Sequence, residues 1–155
     1  MRLVAVLGLA LALCGCAAAP RRADVPRAEL PRTEALGARA AALADRLVGT
    51  PYRPGGTTPD GFDCSGLVVY VYGELGVALP RTAAEQRSFA ARVPVAALAP
   101  GDLVFFSSPE DHVGIYVGGG EFVHAPGTGR RVERARLDAP YFILGYAGGG
   151  RVAGQ

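Results

Sequence analysis

Cys64 stands alone in the body of a 155-residue chain, with a Pro- and Gly-rich loop before it and an apolar run after it. The run from Ser65 to Leu75 is predicted as a buried helix with Gly76 as its stop. At a helix start, unpaired N–H groups and the positive end of the dipole favour a thiolate over a thiol. The same N–H groups can hold an oxyanion. A thiol nucleophile also needs a base, and the base needs a group to orient it. The chain has two histidines, His112 and His124, separated by a segment that contains Gly118-Gly119-Gly120. If the three glycines form a hairpin loop, Val117 faces Glu121 and Gly114 faces His124. His112 then shares a face with His124, diagonal to it at ~7–8 Å between backbones. A two-residue turn would slip the register by one and part the two rings. Gly114 would leave room for either ring.

Plainer readings compete at each of these positions. An unpaired Cys is often a small core hydrophobe, and a strand His is often structural. Cys64, His112 and His124 also offer three zinc ligands, but no fourth is evident and no Cys-x-x-Cys pair supports them. No metal or cofactor is expected.

The elements that must position these residues follow from periodicity and punctuation. Leu36, Ala40, Leu43 and Leu47 predict a helix over Thr33 to Val48, and Thr50 to Phe62 reads as a loop. Thr82-Ala83-Ala84-Glu85 is a capping box opening a short helix to about Ala90. Strands are predicted at Asp102–Ser107, His112–Val117, Glu121–Ala125, Arg131–Arg134 and Tyr141–Tyr146. Helices first and strands afterwards predict an α+β domain over residues 33–150, with N-terminal helices packed on a C-terminal antiparallel sheet.

The N-terminus reads as an address. Met1-Arg2 and the apolar stretch Leu3 to Leu13 form a signal peptide, too short for the ~20 residues of a spanning helix. Leu13-Cys14-Gly15-Cys16 resembles a lipobox, so residues 1–15 are expected to be cleaved and Cys16 lipidated. Acyl chains on Cys16 would anchor the chain to a membrane. Residues 16–32, with Pro20, Pro26 and Pro31, would form the tether. Ordinary secretion, with cleavage after one of Ala17 to Ala19, is the alternative. With Cys14 and Cys16 at this end, Cys64 has no disulfide partner in the body. The net charge is +2 and no basic stripe occurs, which sets nucleic acid aside as a partner.

Six segments resemble, in order and spacing, the NlpC family of papain-like bacterial cell-wall cysteine peptidases. They are Pro51 to Gly56, Phe62 to Leu67, Leu79 to Thr82, Pro100 to Phe106, His112 to Tyr116 and Phe122 to Ala125. The resemblance covers about Ala35 to Ala147. It implies a papain-like fold and an endopeptidase of peptidoglycan stem peptides, cutting the γ-D-glutamyl–diamino acid bond or the D-Ala–diaminopimelate cross-link. It implies Cys64 as nucleophile, His112 as general base and then acid, and His124 as the group orienting His112. Tyr52, Asp63 and Ser65 match positions at the substrate pocket, although Asp63 equally suits a helix N-cap and Tyr52 a packing role. Arg81 and Thr82 match a motif of structural or functional role. By resemblance to enterobacterial lipoproteins, Ala17 after the lipidated Cys implies transfer to the periplasmic face of the outer membrane, and a monomer is expected. A papain-like acyltransferase and a non-catalytic wall-binding lipoprotein are the alternatives.

Overall fold

The computed structural model describes residues 32–107 and 111–153. The signal peptide, Cys14, Cys16 and nearly all of the expected tether lie outside the described residues.

Helix α1 (Arg32–Arg46) buries Leu36, Ala40 and Ala44, a stripe at fourfold spacing. Helix α2 (Cys64–Gly73) is apolar almost all round and buries Leu67, Val68, Val71 and Tyr72. Its start is fixed by Asp63, whose extended backbone and side chain cap the helix through the N–H of Gly66 at 2.7 Å. Helix α3 (Ala83–Phe89) opens on the expected capping box. The Thr82 hydroxyl accepts the Glu85 N–H at 3.3 Å, and the Glu85 carboxylate accepts the Thr82 N–H at 3.1 Å.

The segment read as a loop before Cys64 carries a two-stranded ribbon, β1 (Thr57–Thr58) and β2 (Gly61–Phe62). The main sheet has six antiparallel strands: β3 (Ala91–Val93), β4 (Leu103–Phe106), β5 (His112–Gly118), β6 (Glu121–His124), β7 (Glu133–Arg136) and β8 (Tyr146–Arg151). They lie side by side in the order β3-β8-β4-β5-β6-β7. Both α1 and α2 pack on β5. Leu103, Phe105, Val113, Ile115 and Val123 meet the helices. Val104, Phe106 and Phe122 form a second apolar cluster, completed by Phe142 and Tyr146. Alternation along the strands separates the two sets.

Three departures from the sequence reading have physical causes. Tyr141–Tyr146 is not a strand: Pro140–Gly145 forms a helical turn, α4, with Pro in its first positions and Phe142 packed edge-on against Phe122 and His124 and tilted against Phe106. The strand begins at Tyr146 and runs on through glycines. A Cβ at Gly149 would lie 2.8 Å from the Val93 carbonyl, and one at Gly150 would lie 2.7 Å from the Ala90 side chain, so this strand needs glycine for close packing. Strand β7 starts two residues later than expected because 130–132 is engaged elsewhere. Gly49 and Tyr52 donate their N–H groups to the Val132 and Arg130 carbonyls, and Val132 donates to Thr50. That exchange docks the Tyr52 segment on the residues that lead into β7. Strand β3, short and exposed, carried no alternating signal.

Candidate active site

The β5–β6 hairpin sets the histidines. Its turn has only two residues, Gly119 and Gly120, between the paired Gly118 and Glu121. A slip would follow, but a bulge at Val117 cancels it, and Tyr116 faces Phe122 and Ile115 faces Val123. The odd count expected from a three-glycine loop is thus supplied by a two-glycine turn plus the bulge. Gly118, Gly119 and Gly120 all have positive φ, which explains the run of glycines. His112 and His124 share one face, with His112 Nε2 2.8 Å from His124 Nδ1. The space above Gly114 is filled not by either imidazole but by Phe122, whose ring a Cβ there would meet at 2.5 Å.

Cys64, the first residue of α2, reaches the start of β5. Its thiol lies against the backbone N–H of Val113, the residue after His112, and against that of Ser65. Burial pushes the thiol pKa up, and the Asp63 charge adds to this. The N–H groups of Val113 and Ser65 pull the other way without prevailing. The helix start was expected to favour the thiolate; burial outweighs it. Burial also lowers His112 to about 4 and His124 to about 3, with the charges of His112 and Arg130 adding to the shift of His124. Thiol and imidazoles are therefore all neutral at neutral pH.

A polar wall stands beside the thiol. Arg81 grips Asp63 through both nitrogens, at 3.0 and 2.5 Å, and donates to the Ser65 hydroxyl at 2.8 Å. Burial raises the Asp63 carboxyl, but Arg81 and the N–H groups of Gly66 and Gly55 outweigh it and hold the pKa below the ordinary value. Asp63 is therefore an N-cap and one half of an ion pair. The Gly55-Gly56 turn presses on this helix start: a Cβ at Gly66 would lie 1.9 Å from the Gly56 carbonyl oxygen. Tyr52 packs against the core edge and lies within electrostatic reach of Arg81.

Two residues of the site escaped the sequence reading. Gln86 is fully buried and donates to the carbonyls of Ser65 and Pro80 at 3.1 and 2.9 Å, tying α3 to the start of α2 and to the Arg81 segment. Nothing in a helix with an exposed capping box signals a buried amide. Glu133 stands opposite His124 in the β6–β7 register. A cleft of about 230 Å³ opens beside His112, lined by Arg87, Ser88, Phe105, Phe106 and Asp111. Among the described residues, no group of three or more His, Cys, Asp or Glu side chains is placed to hold a metal ion.

A helix-start cysteine against the strand residue that follows His112, with His112 bonded to His124 on an antiparallel sheet, defines a papain-like α+β domain of the NlpC type. Residues 49–151 match the NlpC/P60 family, and the chain belongs to it. Over 113 residues it is 43% identical to the murein DD-endopeptidase MepH of Escherichia coli, an alignment covering 68% of this chain and 42% of that protein. Over another 113 it is 41% identical to a probable endopeptidase, an NlpC homolog of Haemophilus influenzae, covering 72% and 61% respectively. The crystal structure of an NlpC/P60 family protein from Bacillus cereus matches with a TM-score of 0.71 at 33% identity, over 74% of this chain and 39% of that one. The chain thus spans less than two thirds of the length of each of these proteins.

Proposed function

We propose that this chain is a cysteine endopeptidase that hydrolyses an amide bond in peptidoglycan stem peptides. The observation that carries the reading is the 2.8 Å bond between His112 and His124 on a strand whose next N–H lies against the Cys64 thiol. We place the cut at the D-Ala–diaminopimelate cross-link, which the name of the Escherichia coli DD-endopeptidase supports. The name of a γ-D-glutamyl-L-lysine dipeptidyl-peptidase of Bacillus subtilis, 41% identical over 92 residues, supports the γ-D-glutamyl bond instead.

The neutral resting pair sets the order of events. As Sγ of Cys64 attacks the carbonyl carbon, its proton passes to the free ring nitrogen of His112, Nδ1. Backbone N–H groups at the start of α2 stabilise the oxyanion. His112 then returns the proton to the leaving amine, and the C–N bond breaks to leave a thioester. Water, deprotonated by His112, attacks the thioester, and Sγ leaves and regains its proton. His124 holds His112 in place through Nε2. Tyr52, Asp63 and Ser65, with Arg81, border the acyl side of the substrate. On the other side, Arg87 and Asp111 offer opposite charges suited to the carboxylate and ammonium of a diamino acid.

The rest of the chain completes the assignment. Residues 1–15 are removed, Cys16 is lipidated, and residues 16–32 tether a monomeric peptidase domain to the periplasmic face of the outer membrane. Mass analysis of the N-terminal peptide from the membrane fraction tests this; an unmodified N-terminus after Ala17 to Ala19 would contradict it. The activity is tested by digesting cross-linked and uncross-linked muropeptides with the whole protein and with Cys64→Ala. The expected result is monomers released from dimers by wild type alone. Equal inertness of both proteins on every substrate would sink the hydrolase reading. Products cut at γ-D-glutamyl would move the bond.

A further inference from the structure

We propose that Glu133 is a positioning residue: its carboxylate fixes the tautomer of His124 and, through it, that of His112. This rests on the reading of His112 as general base. The two strands place the groups directly opposite each other, His124 on β6 against Glu133 on β7. The His124 side chain is 3% exposed, and among the described residues its Nε2 has no hydrogen-bond partner. Glu133 Oε1 lies 3.6 Å from that nitrogen, just beyond hydrogen-bond reach, and also accepts from Arg130. A buried ring nitrogen without a partner next to a carboxylate calls for an explanation.

Proton bookkeeping supplies one. With both rings neutral, each imidazole carries one N–H. To accept the thiol proton at Nδ1, His112 must carry its hydrogen on Nε2. That hydrogen is donated to Nδ1 of His124, so His124 must carry its own on Nε2, pointing at Glu133. The opposite arrangement puts a hydrogen on Nδ1 of His112 and removes the base. It also aims a lone pair of His124 at a carboxylate, which repels it. Glu133 thus selects the one tautomer of the coupled pair that can act. When His112 takes the proton, the same charge opposes the positive charge of Arg130 at the far end of the pair. Arg130 approaches the same Glu133 oxygen and competes with His124 for it, without being needed to place it.

Only two histidines occur in the whole chain, so ¹⁵N-histidine labelling reports four ring nitrogens and no others. In the wild type at pH 7, both Nε2 atoms are expected to be protonated and both Nδ1 atoms bare. Glu133→Ala is expected to move population to the reversed tautomer and to lower kcat about 10-fold, with KM little changed. Glu133→Gln, whose amide oxygen can still accept from Nε2–H, is expected to restore the tautomer and most of the rate. Arg130→Ala removes the surface ion pair alone and is expected to leave the tautomer as in the wild type. Wild-type tautomers and rate in Glu133→Ala would overturn the proposal. So would an equal loss in Arg130→Ala, which would make the ion pair the cause. The tautomer is read without substrate, so inactivity on muropeptides would count against the proposed reaction and not against this arrangement.

Discussion

His112 and His124 are 2.8 Å apart because a bulge at Val117 cancels the register slip of a two-glycine turn. The shared face depends on that match between turn and bulge. Deleting Gly119 would remove the bulge: Gly118 and Gly120 would form a two-residue turn, Tyr116 would stay opposite Phe122, and the two rings would keep one face. The expected outcome is a folded protein that keeps hydrolysis to within about tenfold of wild type. A loss of about 10³-fold, the range seen when a member of such a unit is removed, with the far-ultraviolet spectrum of a folded protein retained, would show that the bulge itself is needed to set the pair.

The state of the thiol is a second test. Burial raises Cys64 and lowers His112 to about 4, so the resting site holds a neutral pair rather than thiolate and imidazolium. Only the thiolate reacts with iodoacetamide. The alkylation rate should therefore rise about tenfold per pH unit across pH 6 to 8. A preformed ion pair would instead give a rate flat over that range.

Acid sensitivity follows with a definite sign. In the unfolded chain His112 takes up its proton near 6.5, and in the folded one near 4. Between those values the unfolded state binds more protons, so stability is full above about 6.5 and declines as pH falls toward 4. Urea midpoints should fall over that window, and less so in His112→Gln. For the reaction, the base is already neutral at pH 5.5, so kcat/KM should show no step near 6.5 and an acid limb near 4.

Asp63 ties stability to the site. Removing the cap and the Arg81 partner in Asp63→Ala should lower folding stability by about 1–2 kcal/mol, the range for loss of a helix N-cap. Because the folded carboxyl titrates below its ordinary value, this contribution is present above pH 4 and is lost as pH falls through the folded pKa. Urea titration at pH 7 checks the magnitude, and an unchanged midpoint would show the cap to be dispensable.

The cleft beside His112 makes a claim about specificity. Arg87→Ala should raise KM for diaminopimelate-containing peptides about tenfold while leaving kcat within threefold, since it removes binding common to ground and transition states. A fall in kcat at constant KM would put Arg87 in the chemistry instead.

How far the sequence spoke varied with the kind of interaction. Local signals came through. Asp63 before Cys64 marked a helix start, Thr82 and Glu85 a capping box, and the paired strands around the glycine run a hairpin with both histidines on one face. Interactions set by distant partners did not. Tyr141 to Gly145 has the apolar content of a strand, and only Phe142 docking on Phe106 and Phe122 makes it a helical turn. The glycines of β8 look like a tail until the side chains of Leu98, Ala90 and Phe105 press on them. The protonation of Cys64 depended on burial, which no spacing reveals. Gln86 and Glu133 act through partners 21 and 9 residues away, on elements whose own patterns say nothing of the site.

The central claim is that Cys64 forms the acyl intermediate. Rapid quenching of the whole protein in acid with cross-linked muropeptide, followed by peptide mass analysis, tests it most directly. The expected result is a thioester on the peptide containing Cys64, carrying the acyl half of the substrate and absent from Cys64→Ala, which releases no product. Product release by Cys64→Ala at the wild-type rate would contradict it.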